Sequence, residues 1–563
     1  MNLNDTPSTL AQILAYHART KHRLERYAAG PEALDWDAQP NPFREFLGAG
    51  KTALPLAADT LATPFDALHQ PATIAPYPID LHAIGILLEL SLAISAWKEY
   101  GPDRWAVRCN PSSGNLHPTE AYVIGRHIPG LANGVYHYLS LDHSLALRCR
   151  HAPSADDVTD TSTGLYIGLS SVAWREAWKY GERAFRYCQH DVGHALGALR
   201  YAAAALGWQV HVHEEISNQE LAYVLGVDRD NDYANAEREE AELLVSIGPA
   251  SKNTLPPALP PFIAREWFGQ ANRLDPHPMY RWPVIDEVAT ATRKPGTLPM
   301  PWAAKRTTER VAEQSASEPS STPLPPLPAL PSLPSLPRAK HLPAATLLRQ
   351  RRSAQHFDRA QTLDTASFYR LLDAVLRDTL PWDVWSFEPR LHLILFVHRV
   401  AGLAPGIYAL PRDAAAKENL RQAMQQDFAW TKPVNCPSHL PLYCLIEAPV
   451  SKIARSISCH QAIAADGAFS LAMLAEFEPT LAAAPWRYRQ LFWEAGLIGQ
   501  VLYLEAEAAG VRGTGIGCYF DDACHELLGL TGKSFQSLYH FTVGSPLLDE
   551  RISSHPAYPA SPR

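Results

Sequence analysis

Paired cysteines, a strong net charge, long apolar runs and dinucleotide glycine fingerprints are all missing from this 563-residue chain, and each absence removes a class of function. Its eight cysteines are scattered without the even rhythm of a disulfide framework. The tightest grouping is Cys436, His439, Cys444, Cys459 and His460. It holds no CxxC pair, so it reads as ordinary residues rather than a zinc site. A formal net charge of −8 argues against nucleic acid or an anionic membrane as partner, since both need a basic surface. The longest apolar run, LHAIGILLELSLAISAW at 81–97, carries His82 and Glu89 and is too short to span a bilayer. It is expected to be a buried amphipathic helix. The opening MNLNDTPSTLAQILAYH has neither the basic start nor the apolar core of a signal peptide, so a cytoplasmic protein is expected.

Proline, by contrast, is plentiful and concentrated. The stretch PSSTPLPPLPALPSLPSLP at 319–337 holds eight prolines in nineteen positions, a composition that favours a semi-rigid polyproline spacer. Such a length calls for more than one domain. The expected division is a first half at 1–251, a linker at 252–345 and a second half at 346–563.

The halves resemble each other. GVYHY at 134–138 matches GIYAL at 406–410, and the same register lays 119–136 over 391–408. Further on, 186–227 lies over 489–530, with Gly193 on Gly496, Gly207 on Gly510 and Leu225-Gly226 on Leu528-Gly529. One unit has been duplicated. Each copy reads as a sheet flanked by helices, an α+β pattern. Long helices are expected at 183–206 and 489–509, and Gly193 and Gly197 let another helix approach closely. A duplicated unit packs as a homodimer would.

Several segments carry chemistry. Pro111, Ser112, Ser113, Gly114 and Asn115 form a polar turn ahead of an apolar strand, an arrangement suited to cradling a ligand. Arg351, Arg352 and Ser353 offer two forked cations and a hydroxyl, donors that suit a phosphate dianion. Gly513, Gly515 and Gly517 relieve bulk where backbone must approach a ligand. At Lys179-Tyr180 a lysine cation would lower the tyrosine pKa and make it a better base; the other meaning of the pair is simple packing. His190, Asp191 and His194 share one helix without a third ligand at metal spacing, so no metal is expected there.

PSSGNLHPTEAYVI resembles the Pro-Ser-Ser-x-Asn loop of the nitroreductase superfamily. RRSAQHFD at 351–358 resembles its Arg-x-Ser-x-Arg-x-Phe signature, and GQVLYLEAEAAGVRGTGIGCYFDD at 499–522 its flavin-facing helix and turn. More narrowly, YHARTKH, WKYGERAFRYCQHDVGHALG and VGSPLLDERISSHPAY are similar to SagB/McbC-type azoline dehydrogenases. The resemblance implies two tandem nitroreductase-like α/β sandwich domains forming a pseudo-dimer within one chain, with FMN as cofactor. It places Pro111, Ser112, Ser113 and Asn115 at the flavin heterocycle and Arg351, Arg352 and Ser353 at the phosphate. The backbone of Gly515, Ile516 and Gly517 would face flavin N5 and O4. Gln355 stands where the family has a second basic residue, and Arg551 would replace that charge. Lys179 and Tyr180 would be catalytic, in proton transfer.

In relatives the loop and the arginines of one site come from opposite subunits. Here positions 383–387, opposite PSSGN, read Asp-Val-Trp-Ser-Phe, and TKHRLERY at 20–27 is a weak counterpart of the arginine signature. Ala482-Ala483 stand opposite Lys179-Tyr180. One FMN per chain is therefore expected, split between the halves. The implied activity is oxidation of thiazoline or oxazoline rings in peptide natural products, with a peptide or small-molecule substrate and a cyclodehydratase complex as partner. Two other readings compete: an NAD(P)H-dependent nitro- or quinone reductase, and a flavin-free scaffold for a peptide-modifying complex.

Overall fold

A computed structural model describes residues 8–70, 73–151, 162–249, 265–296, 342–376, 380–413 and 415–559. The proline-rich stretch 319–337 lies outside them. Runs of β-branched, aromatic and leucine side chains build two antiparallel sheets. The first, eight-stranded among the described residues, runs Arg265–Trp267, Ser144–His151, Gly134–Leu139, Thr119–Arg126, Gly164–Ser171, Glu240–Pro249, Trp208–Val212, with Lys51–Ala53 also on Ser144–His151. The second runs Tyr443–Glu447, Gly406–Leu410, Leu391–Val397, Phe469–Glu476, Phe535–Gly544, Arg512–Ile516. From Ser144–His151 onward the two orders are the same.

The duplication extends to register. Val123 pairs with Tyr136 on one side and Ile167 on the other, and its counterpart Leu395 pairs with Tyr408 and Leu471. Central strands such as Leu391–Val397 are buried at every position, which is why they read as unbroken apolar runs rather than alternation.

The expected long helices are Ala184–Ala205 and Arg487–Ala508, 22 residues each. They cross at the two aligned glycines. A Cβ on Gly193 would lie 2.1 Å from the Trp493 carbonyl oxygen, and one on Gly496 would lie 2.1 Å from the His190 carbonyl oxygen. Only glycine permits such an approach, so the pseudo-twofold relation of the halves is written into these two positions.

Two expectations need revision. The run 81–97 is not one helix: Leu81–Ser91 is helical and apolar nearly all round, and Ile94–Tyr100 is a strand. The chain turns out of the helix at Leu92, where Ser91 closes on the Leu87 carbonyl at 2.7 Å. The stretch placed in the linker is also structured over 265–296. It adds a strand to the first sheet and a helix, Pro283–Ala291, whose Ala289 carbonyl accepts from Arg489 at 2.7 Å.

The termini cross between the halves. His22 bridges Phe520, Lys21 meets Asp522 at 2.7 Å, and Arg183 and Arg186 both close on Asp521. At the other end, Ser553–His555 pairs with Ile94–Tyr100, itself paired with Asp103–Arg108, and Tyr558 donates to the Ser140 carbonyl at 2.7 Å. Among the described residues no helix is long and apolar enough to cross a membrane.

Candidate functional site

A cavity of about 710 Å³ opens between the halves. The first half supplies the 111–115 turn, and the second half supplies 351–355 and 512–518. Nearly all residues singled out from the sequence for binding are thus brought to one place from three distant segments. Arg551 and Lys179 do not line it, although Tyr180 does.

The polar turn is held by its own side chains. Gly114, Asn115 and His117 take left-handed backbone with φ of 58°, 60° and 54°. Asn115 spends both ends of its amide on the turn, donating to the Ala106 carbonyl at 2.8 Å and facing the His117 ring at 3.0 Å. Ser112 Oγ accepts from the His117 amide at 2.8 Å, and Ser113 donates to Asp191 through its amide at 3.1 Å and its hydroxyl at 3.2 Å. Ser112, Ser113 and Asn115 line the cavity as expected of the turn, and the hydrogen bonds they make within the fold hold its shape. Asp191 is the anchor the sequence reading undervalued. Burial pushes its carboxyl up to about 7, against the downward pull of Ser112 and Ser113.

The basic end differs from expectation as well. Arg351 follows the helix Ala344–Gln350, is 3% exposed and donates to the carbonyls of Cys109 and Arg108 at 3.0 and 3.1 Å. Its guanidinium thus holds the strand leading into the 111–115 turn, with Tyr503 beneath it at 5.0 Å. Arg352 donates only to backbone carbonyls, at Arg349 and Arg351, and has no carboxylate within ion-pair distance among the described residues. Burial first, then Arg351, lowers it to about 10. Lys98 is lowered by burial and then by Arg352 and Arg512. Arg512 has Glu507 at 3.6 Å. All three line the cavity with Ser353 and Gln355, and the neighbouring cations disfavour the charges of Arg352 and Lys98. Lys98 and Arg512 were missed from the sequence; Arg512 stands directly before the glycine turn, a signal that was there to use. Arg551 does not replace the missing charge. Its side chain is 71% exposed and closes on Asp549 at 2.7 Å, so its charge is spent locally.

The glycines of 513–517 accommodate aromatic rings rather than empty space. A Cβ on Gly515 would lie 1.9 Å from the Tyr539 hydroxyl, and one on Gly517 would lie 2.1 Å from the Tyr187 ring. The Gly515 amide donates to Tyr503 Oη at 2.9 Å, and Tyr503 Oη is 2.8 Å from Ser353 Oγ. Ile516 and Gly517 line the cavity, and the Gly517 carbonyl accepts from Arg183 at 3.2 Å.

Lys179 and Tyr180 end the helix Ala173–Tyr180 and converge on Gly114: a Cβ there would be 2.6 Å from Tyr180 Oη and 3.2 Å from Lys179 Nζ. The pair is therefore seated against the turn. Its electrostatics run opposite to expectation. Burial first, then Glu176, Tyr187 and Asp191, pushes Tyr180 well above the usual phenol value, while burial lowers Lys179. Tyr180 holds its proton at neutral pH, and Asp191 is the cavity group that titrates there.

The pseudo-symmetric counterpart of the cavity is closed. Glu214, aligned with Gly517, accepts from the Ser386 amide and hydroxyl at 2.7 and 2.8 Å, and Asp383 pairs with Arg200 at 2.6 Å. Arg489 crosses to Glu240 and Glu242, both at 2.7 Å. Among the described residues a pocket of about 40 Å³ remains beside Glu214, Phe387 and Arg489, against about 710 Å³ on the open side.

Comparison with known proteins gives this architecture a home. A candidate nitroreductase from Anabaena variabilis ATCC 29413, solved by crystallography, superposes with a TM-score of 0.66 over 95% of this chain and 99% of its own, at 21% identity. This is the nitroreductase fold. Residues 348–545 match the model of the nitroreductase family. A candidate nitroreductase from Methanocaldococcus jannaschii is 29% identical over 129 residues, 22% of this chain and 64% of that relative, so the chain spans less than two thirds of it. A further crystal structure, from Ralstonia eutropha JMP134, covers 40% of this chain at 16% identity with a TM-score of 0.27. The donor set of the open cavity is of a kind that suits a flavin phosphate: Arg352 and Lys98 are partly buried and have no carboxylate within ion-pair distance among the described residues.

Proposed function

We propose that this protein is an FMN-dependent oxidoreductase with one flavin site per chain, and that its reaction is the oxidation of azoline rings to azoles. The observation that carries the first part is the asymmetry of the two inter-half spaces among the described residues: one is about 710 Å³ and lined by Lys98, Arg351, Arg352 and Arg512, the other about 40 Å³ and lined by Glu214, Glu242 and Arg489. Arg352, Lys98, Arg512 and Ser353 would hold the phosphate. The backbone of 515–517 and the 111–115 turn would flank the heterocycle. FMN, when bound, supplies the two-electron chemistry, and the protein supplies position and proton handling.

The azoline reading rests on the resemblance of the first half and on the convergence of Lys179 Nζ and Tyr180 Oη at Gly114. Removing hydrogen from a ring carbon requires a proton acceptor beside the site. Asp191, near 7, is the cavity group suited to take that proton, with Tyr180 as donor or relay and Lys179 setting the local field. Apolar Trp105, Val107, Leu547 and Ile552 on the cavity wall suit a peptide side chain or ring, and a cyclodehydratase would supply the azoline. Eight free cysteines suit a reducing compartment such as the cytoplasm.

Flavin content tests the first part: purified protein should carry about one equivalent of FMN per chain, the stoichiometry of one open interface where symmetric relatives keep two. Two equivalents, or a colourless protein that cannot be reconstituted, refutes it, and the second outcome favours the scaffold. For the azoline step, Tyr180→Phe and Lys179→Ala should abolish azoline oxidation while FMN stays bound. Unchanged azoline oxidation, or NAD(P)H-driven nitro or quinone reduction alone, moves the assignment to a general reductase.

A further inference from the structure

Beyond the glycine turn, three chain segments meet at the rim of the cavity. Cys518, the residue after Gly517, lines it. The Phe520 amide donates to the Ile457 carbonyl at 2.8 Å, and Gln461 Nε2 donates to the Cys518 carbonyl at 2.8 Å. The segment 457–461 therefore lies along 518–520 and sets Cys459 across from Cys518. His22 joins them: its backbone bridges Phe520, and its ring and the two thiols act on one another's charge. His22 Nδ1 accepts from the Ala28 amide at 2.9 Å, which leaves the ring proton on Nε2 as a donor. Cys459 and His460 both sit in left-handed backbone, with φ of 51° and 60°, a strain that functional positions commonly carry. Both cysteines are partly exposed.

The surroundings favour a thiolate on one sulfur. Arg183 donates to the Gly517 carbonyl at 3.2 Å, so its cation stands beside Cys518. Cys459 first, then His22, lowers Cys518 against the effect of burial, while Cys459 is pushed up. Cys109, Cys188 and Cys524 are, in contrast, buried and raised. An attacking thiolate beside a second thiol is the arrangement that thiol–disulfide exchange uses.

We propose that Cys459 and Cys518 are a redox-active dithiol that exchanges with low-molecular-weight disulfides and closes to a Cys459–Cys518 disulfide at the cavity rim. The Cys518 thiolate attacks one sulfur of the small disulfide, whose S–S bond breaks and releases one thiolate. Cys459 gives up its proton and attacks the Cys518 sulfur of the mixed disulfide, releasing the second thiol. The protein is oxidised by two electrons and the small disulfide is reduced to two thiols. No flavin takes part, so the proposal stands or falls apart from the reading above.

The test treats the full chain as purified with excess glutathione disulfide and maps the cysteine peptides by mass. The wild-type protein should lose two titratable thiols and show one internal Cys459–Cys518 crosslink without retained glutathione. Cys459→Ser should hold one glutathione on Cys518, because the resolving thiol that would displace it is gone. Wild-type protein in which both cysteines stay free, or each carries its own glutathione, overturns the proposal. So does modification of Cys518 in Cys459→Ser no faster than that of Cys436. The wild-type result needs no substitution and is independent of whether a variant folds.

Discussion

Replacing Asp191 with Asn should change how stability depends on pH, by an amount the site itself sets. Asp191 is 1% exposed, accepts from Ser113, and has its carboxyl raised by burial from the ordinary 3.8 to about 7. A raised acid binds its proton more tightly in the folded state, so the folded form holds more protons between about pH 4 and 7. Stability therefore falls as pH rises through that window and levels off above it. At about 1.4 kcal/mol per pH unit, the cost of ionising Asp191 reaches at most about 4 kcal/mol by pH 8. Asn keeps an oxygen for the Ser113 amide and never ionises. Glu176, raised first by burial and then by Asp191, loses that second push in the variant, which widens the difference in the same direction. Denaturant melts of the two proteins at pH 4, 5.5 and 8 should show the variant losing ground at acid pH and gaining it at pH 8. Parallel curves across the window would refute the claim that burial controls this carboxyl.

Three other outcomes follow from the same geometry. Gly193→Ala forces a methyl to 2.1 Å from the Trp493 carbonyl oxygen and should cost at least about 1–3 kcal/mol, read as a lower denaturation midpoint, because backbone cannot yield as a side chain does. Arg352→Ala should weaken FMN binding by about 10–100-fold in a flavin titration, the worth of one charged hydrogen bond, whereas Arg551→Ala should leave it unchanged since that cation is already spent on Asp549. Asp383→Ala should strip fully buried Arg200 of its carboxylate and lower stability by about 1–3 kcal/mol while the flavin content stays the same; a loss of flavin would mean that the closed side also binds.

What could be read from the sequence depended on whether a residue's role is local or set by a distant neighbour. Gly193 and Gly496 were legible because helix backbones in contact exclude a Cβ whatever surrounds them, and the duplication marked both. That each half carries a sheet flanked by helices was legible through the same repeat, but the order of its strands was not. The turn at 111–115 was found by its composition, but the direction of Ser113 was not, since that is fixed by Asp191, 78 residues away. The lowered pKa expected of Tyr180 looked only at its neighbour Lys179. Folding added Glu176, Asp191 and burial, which together outweigh one partly buried lysine. Lys98 escaped notice because a single lysine in a strand carries no pattern. The pairing of Cys459 with Cys518 escaped because grouping by sequence distance set Cys459 beside Cys436 and Cys444 instead.

The two sides of the interface now differ in how they meet the cost of buried charge. On the closed side, Arg200 has Asp383 and Arg489 has Glu240 and Glu242, so those cations are satisfied within the protein. On the open side, Arg352 and Lys98 have no carboxylate within ion-pair distance among the described residues, and burial and the neighbouring cations disfavour their charged forms. An anion that binds only the folded chain then adds stability in proportion to its occupancy, about 2.7 kcal/mol at a hundredfold excess over its dissociation constant. Inorganic phosphate should stabilise the flavin-free protein weakly, and FMN strongly through the same cations. Arg352→Ala should blunt both effects while raising the stability of the ligand-free chain, since the variant no longer carries that unpaired charge. A ligand-free variant less stable than wild type would show instead that the carbonyls of Arg349 and Arg351 satisfy this guanidinium, and that the cavity's basic end is built for the fold rather than for a phosphate.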